Sequence, residues 1–414
     1  MQRLRVDARV AGELNRAMVF DLLRSRQVVS RIGLARETNL SKATISQIVD
    51  EFIRAGFVET LGPGQSDKGR RPTMLRFDAR ARLVVGVELG DSSCTAVLTD
   101  LSGAKLSATT APVYARAPDD AVKVAISLVR ELTAEVPLER ILGIGVGTPG
   151  LVDSQSGIIR MAPDLGWQQV SVGPRFSERF PLPVAVVNRA KAAALGEAWS
   201  GAGRQSSDLV YVSVSTGISA GIVIGGQLYR GVSMSEGELG HVTVIPDGPL
   251  CQCGNRGCLQ ALAAGPAILA RIRERLRAEP SSIGASVDRP LDLLGFEGLA
   301  DLATADSTVS SVIDEAACYL GIAAANLVNV LNPGMLVFGG TVVRALPMLV
   351  PRIEREIRRR ALSVPAAAVE VVTSQLGRDS VPIGAAAFVF RRVSVVGATR
   401  ESASGVPVEV ASTE

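Results

Sequence analysis

A strand–turn–strand pattern occurs twice in this chain, and the second copy begins 126 residues after the first. Residues 83–106 read LVVGVELGDSSCTAVLTDLSGAKL, and residues 209–231 read LVYVSVSTGISAGIVIGGQLYRG. Such a duplication predicts two similar α/β lobes that face a cleft, each with a glycine turn whose backbone N–H groups could approach a phosphate. A single turn of this type is more often an ordinary hairpin, so the prediction depends on the repetition.

Three further segments extend this pattern. They read ILGIGVGTPGLVD (141–153), VAVVNRAKAAALGEAW (184–199) and LNPGMLVFGGTVV (331–343). The first and third are apolar strands that run into glycine turns, and the second is a strand that ends at Asn188 before an alanine-rich helix. Strands that alternate with helices predict an α/β fold. Residues 396–414 lack periodicity and are expected to form a disordered tail.

The composition excludes several classes of protein. Hydrophobic residues make up 47% of the chain and charged residues 21%, which excludes wholesale disorder. Aromatic residues, at 4%, are too few for a platform that stacks single-stranded nucleic acid. The N-terminus has no apolar signal-peptide core and no run approaches about 18 apolar residues, so we expect a cytoplasmic protein with no membrane partner.

Basic charge is concentrated at the N-terminus. Residues 1–82 contain 16 Lys/Arg and 9 Asp/Glu, a net charge of +7, whereas the rest of the chain contains 28 and 32, a net charge of −4. This asymmetry is typical of a nucleic-acid-binding head on a sensing or catalytic body, although charge alone can be so distributed by chance.

Residues 1–80 have the pattern of a winged helix-turn-helix domain. Three segments show helical spacing of apolar residues, and Ser41 is a suitable N-cap for the third, which ends at Ala55-Gly56. Two short strands follow, joined by the basic wing GPGQSDKGRRP. The second helix of a helix-turn-helix, which is the third helical segment here, enters the major groove. We therefore expect DNA contacts from this helix and from the wing: Ser41, Lys42, Thr44, Gln47, Lys68, Arg70 and Arg71. The alternative is a small helical domain that binds protein.

Three of the five cysteines are clustered close to the only histidine in the sequence. Cys251, Cys253 and Cys258 form the motif CQCGNRGC, and His241 lies ten residues before it. Three cysteines and one histidine form a closed tetrahedral zinc set of the structural kind. Disulfide bonds are the alternative, but an intracellular chain keeps its thiols reduced and the C-x-C spacing is too tight for an easy bridge. The other two cysteines, Cys94 and Cys318, are expected to be core residues.

The segment GELGH (237–241) followed by CQCGNRGCLQ (251–260) resembles the signature of the ROK family of sugar kinases and repressors. The segments ILGIGVGTPG, LNPGMLVFGG and that around Asn188 are also similar to the family, over roughly residues 83–390. The winged helix ahead of them resembles the repressor branch. The resemblance implies an actin/hexokinase-like (RNase H-like) body that binds a hexose-type ligand between two lobes, with zinc near the sugar loop. The lobes would comprise residues 81–195 with 376–395, and residues 196–375.

The resemblance also implies which residues bind an effector. The family's sugar-binding Asn matches Asn188, and the Glu of its E-x-G-H motif matches Glu238. The histidine of that motif, which touches both sugar and zinc, matches His241. A further sugar-binding Glu would fall at Gln260, whose amide can still hydrogen-bond a hydroxyl.

The chain departs from the kinases directly after Asn188. The kinases' catalytic Asp takes a proton from the sugar hydroxyl at that position, but here Arg189 occupies it, and a guanidinium cannot act as a base. The phosphate loops differ as well, because Asp91 stands where a glycine would face phosphate and side chains within residues 215–221 crowd the second loop. We therefore expect neither ATP binding nor kinase activity.

Three hypotheses about function remain. The first is a transcriptional repressor of carbohydrate metabolism or transport that binds operator DNA as a homodimer or dimer of dimers and responds to a sugar effector. The second is an active ATP-dependent sugar kinase with a DNA-binding head, and the third is a scaffold whose head binds protein. Arg189 would suit an acidic or phosphorylated sugar, or else form a structural salt bridge. The Ala/Leu-rich helix over residues 315–330 is a candidate dimer interface.

Overall fold

The computed structural model describes residues 8–63, 72–113, 117–278, 295–296 and 298–393. These residues form two compact units. Unit 1 takes its residues from Met1–Val146, Val172–Ala185 and Ala386–Glu414, and unit 2 from Gly147–Ser171 and Val186–Ala385. The wing residues Lys68, Arg70 and Arg71 and the tail 396–414 lie outside the described residues.

The N-terminal part of unit 1 is a winged helix, which we call the head. Its elements are α1 (Ala8–Arg26), β1 (Val28–Ser30), α2 (Arg31–Thr38), α3 (Lys42–Arg54), β2 (Val58–Pro63) and β3 (Thr73–Phe77). The strands form an antiparallel sheet of order β1-β3-β2. Helix α3 begins after the N-cap Ser41 and ends before Gly56, whose φ of 80° stops a helix, as the sequence predicts.

An aromatic cluster forms the core of the head. The ring of Phe20, on α1, lies 5.6 Å from Phe52, 5.6 Å from Phe57 and 5.3 Å from Phe77 between centroids. These edge-on contacts join α1, α3 and the β-sheet of the head. A fifth ring, Phe390, lies 5.9 Å from Phe20 and comes from the far end of the chain.

Two five-stranded sheets with the same strand order confirm the internal duplication. The first contains β4 (Leu83–Leu89), β5 (Ser93–Asp100), β6 (Lys105–Pro112), β7 (Ile141–Thr148) and β11 (Val184–Asn188) in the order β11-β7-β4-β5-β6. The second contains β12 (Leu209–Val214), β13 (Ile218–Ile224), β14 (Gln227–Leu228), β15 (Met335–Gly339) and β16 (Glu370–Thr373) in the order β14-β13-β12-β15-β16. In each sheet the first three strands form an antiparallel meander, and the later two extend the sheet beyond its first strand.

Helices and a small sheet complete the two units. In unit 1, α4 (Pro118–Leu132) packs on β4 and β5, and α5 (Val172–Ser177) follows. Unit 2 adds the sheet β8 (Leu151–Asp153), β9 (Ile158–Ala162) and β10 (Trp167–Ser171), and the helices α6 (Arg189–Ser200), α7 (Leu259–Ala263), α8 (Gly265–Ala278), α9 (Leu299–Ala305), α10 (Ser307–Leu331), α11 (Thr341–Ala345), α12 (Leu349–Arg360) and α13 (Ser363–Ala368). The last helix, α14 (Ser380–Arg392), begins in unit 2 and ends in unit 1.

Helix α10 is the central helix of the unit 2 core. Among the described residues it is the one helix whose length and hydropathy would suit a membrane span, and 56% of that apolar window is buried inside the unit. Its alanine and leucine side chains pack against α8 and α12, so most of the apolar face that suggested an interface at residues 315–330 is used internally.

The two isolated cysteines differ in environment. Cys94 is fully buried on β5, where burial raises the pKa of its thiol to about 11, so it is a core residue as expected. Cys318 is only half-buried on α10, with its sulfur 3.4 Å from Nη2 of Arg360. The prediction that Cys318 belongs to the core is therefore wrong, because its side of α10 faces the charged residues of α12.

Candidate functional site

Asn188 joins the end of β11 to the start of α6. Its Oδ1 accepts hydrogen bonds from the backbone N–H groups of Ala190 (2.9 Å) and Lys191 (3.4 Å), which makes it the N-cap of α6. Its Nδ2 donates to the carbonyl oxygen of Gly150 at 2.8 Å. The next residue, Arg189, is the first of α6 and is half-buried. The strand-to-helix junction that the sequence predicts is confirmed, and it fixes both side chains at one helix end.

Gln260, in the short helix α7, lies against two glycines. Its Oε1 accepts a hydrogen bond from the backbone N–H of Ile218 at 3.3 Å. A Cβ atom on Gly217 would lie 3.0 Å from this oxygen, and one on Gly240 would lie 3.1 Å from it. The turn between β12 and β13 and the segment before His241 therefore hold Gln260 between them.

Two carboxylates, those of Glu238 and Asp164, are close enough for their charges to interact. Burial raises the pKa of Glu238, although the charges of His241 and Lys191 act in the opposite direction. Asp164, which follows β9, has its Oδ2 3.8 Å from the position of a Cβ on Gly217. Sequence reasoning identified Glu238 but missed Asp164, because no motif marks it.

A buried ion pair stabilises the loop that carries Glu238. Nζ of Lys191 lies 2.7 Å from Oε1 of Glu236, with side chains 11% and 8% exposed, and it also donates to the carbonyl of Met234 at 2.7 Å. Because Lys191 is on the first turn of α6, this pair connects the loop to the helix that Asn188 caps. Sequence reasoning missed it, since the two residues are far apart in the chain.

The second glycine turn, between β12 and β13, uses its hydrogen-bonding groups within the protein. Oγ of Ser215 accepts a hydrogen bond from the backbone N–H of Thr341 at 3.0 Å. The backbone carbonyl oxygen of Ser215 accepts one from the N–H of Gly265 at 2.8 Å. A Cβ on Gly340 would lie only 2.7 Å from the Ser215 hydroxyl. The first turn is a tight β4–β5 hairpin in which Gly90 N–H donates to the Ser93 carbonyl at 3.0 Å. The Thr341 N–H is therefore already bonded to Ser215, whereas an open phosphate cradle would leave such a group for its ligand.

The clustered cysteines and histidine do converge. The ligand atoms of His241, Cys251, Cys253 and Cys258 all lie within 4.8 Å of one another. Sγ of Cys251 is 3.7 Å from Nδ1 of His241, and Sγ of Cys253 is 3.7 Å from Sγ of Cys258. Three sulfurs and a ring nitrogen at this spacing can hold one metal ion in tetrahedral geometry.

The cysteine loop itself lowers the pKa of one thiol. The backbone N–H of Asn255 lowers the pKa of Cys253 to about 7, whereas burial raises the pKa of Cys258 to about 11. The loop closes through a hydrogen bond from the Cys251 N–H to the Asn255 carbonyl at 2.8 Å. An exposed thiolate next to buried thiols is a suitable first point of attachment for a cation.

The predicted DNA-contact residues on α3 fall into two pairs. The Ser41 hydroxyl accepts from the Thr44 N–H at 3.1 Å and lies 2.8 Å from the Thr44 hydroxyl, so these two side chains build the helix cap. Lys42 and Gln47 are exposed. Of the four, Lys42 and Gln47 are therefore the side chains best placed to reach a ligand of the head.

The sequence was compared with known protein families. The model of the ROK family matches residues 84–392. The chain belongs to the ROK family. The predicted family and the α/β fold are thereby confirmed.

Relatives that match more than nine-tenths of this chain are named as repressors or transcriptional regulators. The xylose repressor of Caldicellulosiruptor bescii is 30% identical over 381 residues, which cover 91% of this chain and 95% of the relative. The Escherichia coli DNA-binding transcriptional dual regulator NagC is 31% identical over 382 residues, which cover 92% of this chain and 93% of NagC.

Solved ROK structures separate the two branches. A ROK transcriptional regulator, a homolog of the E. coli MLC protein, has a TM-score of 0.82 at 28% identity and covers 94% of this chain and 99% of its own. A ROK glucokinase from Streptomyces griseus, solved with glucose and AMPPNP, has a TM-score of 0.67 at 28% identity and covers 75% of this chain and 99% of its own. The regulators match the head as well as the body, in agreement with the interpretation as a regulator and not a kinase.

Proposed function

We propose that this protein is a cytoplasmic, sugar-responsive transcriptional repressor that has lost kinase chemistry. The head binds operator DNA, and the residues around the start of α6 bind a sugar or sugar derivative. The observation that carries the proposal is Arg189, a permanent cation at the position where phosphoryl transfer requires a proton acceptor. The hydrogen bond of Ser215 to the Thr341 N–H supports the loss of nucleotide binding.

Effector binding is assigned to Asn188, Arg189, Glu238, His241 and Gln260. Gln260 lies against Gly240, which belongs to the segment that carries Glu238 and His241. Carboxylate and amide groups are suited to the hydroxyls of a sugar. DNA binding is assigned to Lys42 and Gln47 on α3, with Ser41 and Thr44 at its cap, and to the wing residues Lys68, Arg70 and Arg71. Two-fold related half-sites would require a homodimer or a dimer of dimers.

Zinc is the metal that best suits the His241 cluster. Three thiols and an imidazole are the donors of closed structural zinc sites, and they leave no position for a reacting water. The residues of this cluster would hold the metal, and the metal would supply rigidity to the loop between His241 and α7. His241 thus belongs to both the metal cluster and the effector site.

Binding measurements on the purified full-length chain test the proposal. A DNA duplex selected from a random library is titrated with protein at several salt concentrations, with and without each member of a sugar panel. We expect binding that weakens steeply with salt and a sugar that changes the affinity. The Lys42→Ala variant should lower the salt slope by about 0.9. Salt-independent or absent DNA binding would favour the scaffold hypothesis.

The kinase hypothesis requires a separate assay. Coupled ADP release is followed over the same sugars with Mg-ATP. We expect rates at background. Turnover well above background would restore the kinase interpretation and remove the argument from Arg189.

A further inference from the structure

Among the described residues of the proposed effector site, the amide oxygens are already hydrogen-bonded within the protein, while several N–H groups are not. Both acceptor positions of Asn188 Oδ1 are taken by the N–H groups at the start of α6, and one of its Nδ2 hydrogens is given to Gly150. Gln260 has its Oε1 committed to Ile218. What these amides have left for a ligand is mainly N–H: one hydrogen of Asn188 and the Nε2 group of Gln260. His241 adds another donor when its Nδ1 acts as the acceptor towards the cysteines, since its Nε2 then carries the hydrogen.

The free acceptors are the two carboxylates. Among the residues that the structure describes, the side-chain carboxylates of Asp164 and Glu238 make no hydrogen bond and no ion pair, and both are accessible to solvent. Burial is the main cause of the raised pKa of Glu238; the charges of His241 and Lys191 act against it, and the smaller effects of Glu236 and Asp164 raise it further. Asp164 is also adjacent to Gln260, because both approach the same face of Gly217, at 3.8 Å and 3.0 Å from the position of a Cβ there.

The cations beside the site are already engaged. Lys191 is paired with Glu236 and bonded to the Met234 carbonyl. Arg189 also has interactions within the structure. Among the described residues, a ligand therefore meets two carboxylates that make no side-chain hydrogen bond or ion pair, whereas the neighbouring cations Lys191 and Arg189 are already engaged. Carboxylates accept hydrogen bonds from hydroxyl groups but repel phosphate and carboxylate groups.

We propose that Asp164 is a specificity-determining residue of the effector site, and that with Glu238 it selects neutral polyhydroxylated sugars against phosphorylated or acidic ones. The inference rests on the proposed function, since it assigns the ligand class of the same site. Two like charges a few ångströms apart at a partly solvated site change an affinity by about tenfold. A preference of that size separates a free sugar from its phosphate ester. The acidic ligand that Arg189 suggested becomes one outcome of the test.

Isothermal titration calorimetry on the full-length protein tests this with matched pairs of probes. The pairs are D-xylose and D-xylonate, D-glucose and glucose 6-phosphate, and N-acetylglucosamine and its 6-phosphate. The variant Asp164→Asn keeps the shape of the side chain and removes its charge. Asp301→Asn is the control, because Asp301 is an exposed carboxylate on α9 of the same unit.

In the wild-type protein we expect the neutral member of the best pair to bind at least tenfold tighter than its charged partner. Asp164→Asn should reduce that ratio about tenfold, mostly by strengthening the charged member, while Asp301→Asn leaves the ratio unchanged. Two results would overturn the assignment of Asp164. One is a charged sugar that binds tighter than its neutral partner, and the other is an unchanged affinity ratio in a folded Asp164→Asn protein. Either result would leave the repressor proposal intact. If no sugar of either kind binds, the effector site itself is wrong, and the assignment of Asp164 with it.

Discussion

At the scale of the single residue, Glu197 shows how a buried carboxyl group can be held by hydrogen-bond donors, with no ion pair among the described residues. Its side chain on α6 is fully buried. Oε1 accepts from the Ser374 hydroxyl (2.6 Å) and the Leu376 N–H (3.1 Å), and Oε2 accepts from the N–H groups of Ala202 (2.9 Å) and Gln375 (3.3 Å). Four donors satisfy the carboxylate and connect α6 to the segment before α14.

Glu197→Gln should therefore lower the free energy of unfolding by about 2 kcal/mol, because one amide N–H₂ group would then face backbone donors. Urea unfolding of the purified protein measures the change. Glu370→Gln, an exposed glutamate on β16, should change stability by less than about 0.5 kcal/mol. Equal effects of the two substitutions would contradict the role assigned to Glu197.

At the scale of the element, the loop from His241 to Cys258 has little regular structure of its own. Its backbone is held by two isolated bridges, Thr243 to Cys258 and Leu250 to Arg256, and by glycines with positive φ at 254 and 257. A loop with so little regular secondary structure gains much of its order from what its side chains bind.

We expect one equivalent of zinc per chain, measured by elemental analysis. Cys258→Ser should lose most of that metal and lower the melting temperature, whereas Cys318→Ser should keep both, since Cys318 lies outside the cluster. Metal retained in Cys258→Ser at wild-type stoichiometry would show that the cluster is not the binding site.

The recognition helix offers a second test at this scale. Ser41→Ala removes the acceptor for the Thr44 N–H and should destabilise the head by about 1 kcal/mol. Gln47→Ala, on an exposed face of the same helix, should leave thermal stability within about 0.5 kcal/mol. Thermal unfolding followed by circular dichroism compares the two. A stable Ser41→Ala protein would mean that the cap contributes little.

At the scale of the whole molecule, α14 belongs to both units. Its N-terminal part approaches α6 so closely that a Cβ on Gly384 would lie 1.6 Å from the Ala192 carbonyl oxygen. Its C-terminal part carries Phe390, which is 7% exposed and packs on Phe20 in the head. Within unit 2 the first part of α14 thus packs on α6, and within unit 1 its last part packs on the core of the head.

Phe390→Ala should destabilise unit 1 by about 3 kcal/mol, because it opens a cavity beside the aromatic cluster. Leu14→Ala, which removes a side chain that is 62% exposed on α1, should cost less than about 0.5 kcal/mol. Hydrogen exchange of the head, measured by mass spectrometry, should rise in Phe390→Ala only. Unchanged protection there would show that the head is stable without this contact.

Local patterns of the sequence were sufficient for the elements and for the metal cluster. The cap at Ser41, the stop at Gly56 and the junction at Asn188 were all predicted, because each depends on residues within a few positions. The repeat predicted two similar α/β lobes, because each copy is itself a local strand–turn–strand pattern. The cysteine cluster was found because its ligands are rare residues close together in the chain.

What the sequence could not give depends on contacts between distant residues. Asp164 reaches Gly217, Lys191 pairs with Glu236, and Phe390 reaches Phe20, and no local motif reports any of these. The error at Cys318 has the same origin, since only the neighbouring helix α12 decides whether that side of α10 is covered.

The path of α14 also decides where this protein can be cut to give a stable fragment. A fragment that stops after β3 would carry the whole winged helix yet leave the ring of Phe20 without the cover that Phe390 provides. Such a truncated head would expose apolar surface to solvent and be prone to self-association. An autonomous DNA-binding fragment of this chain therefore needs a graft of α14 before it can serve as a tool.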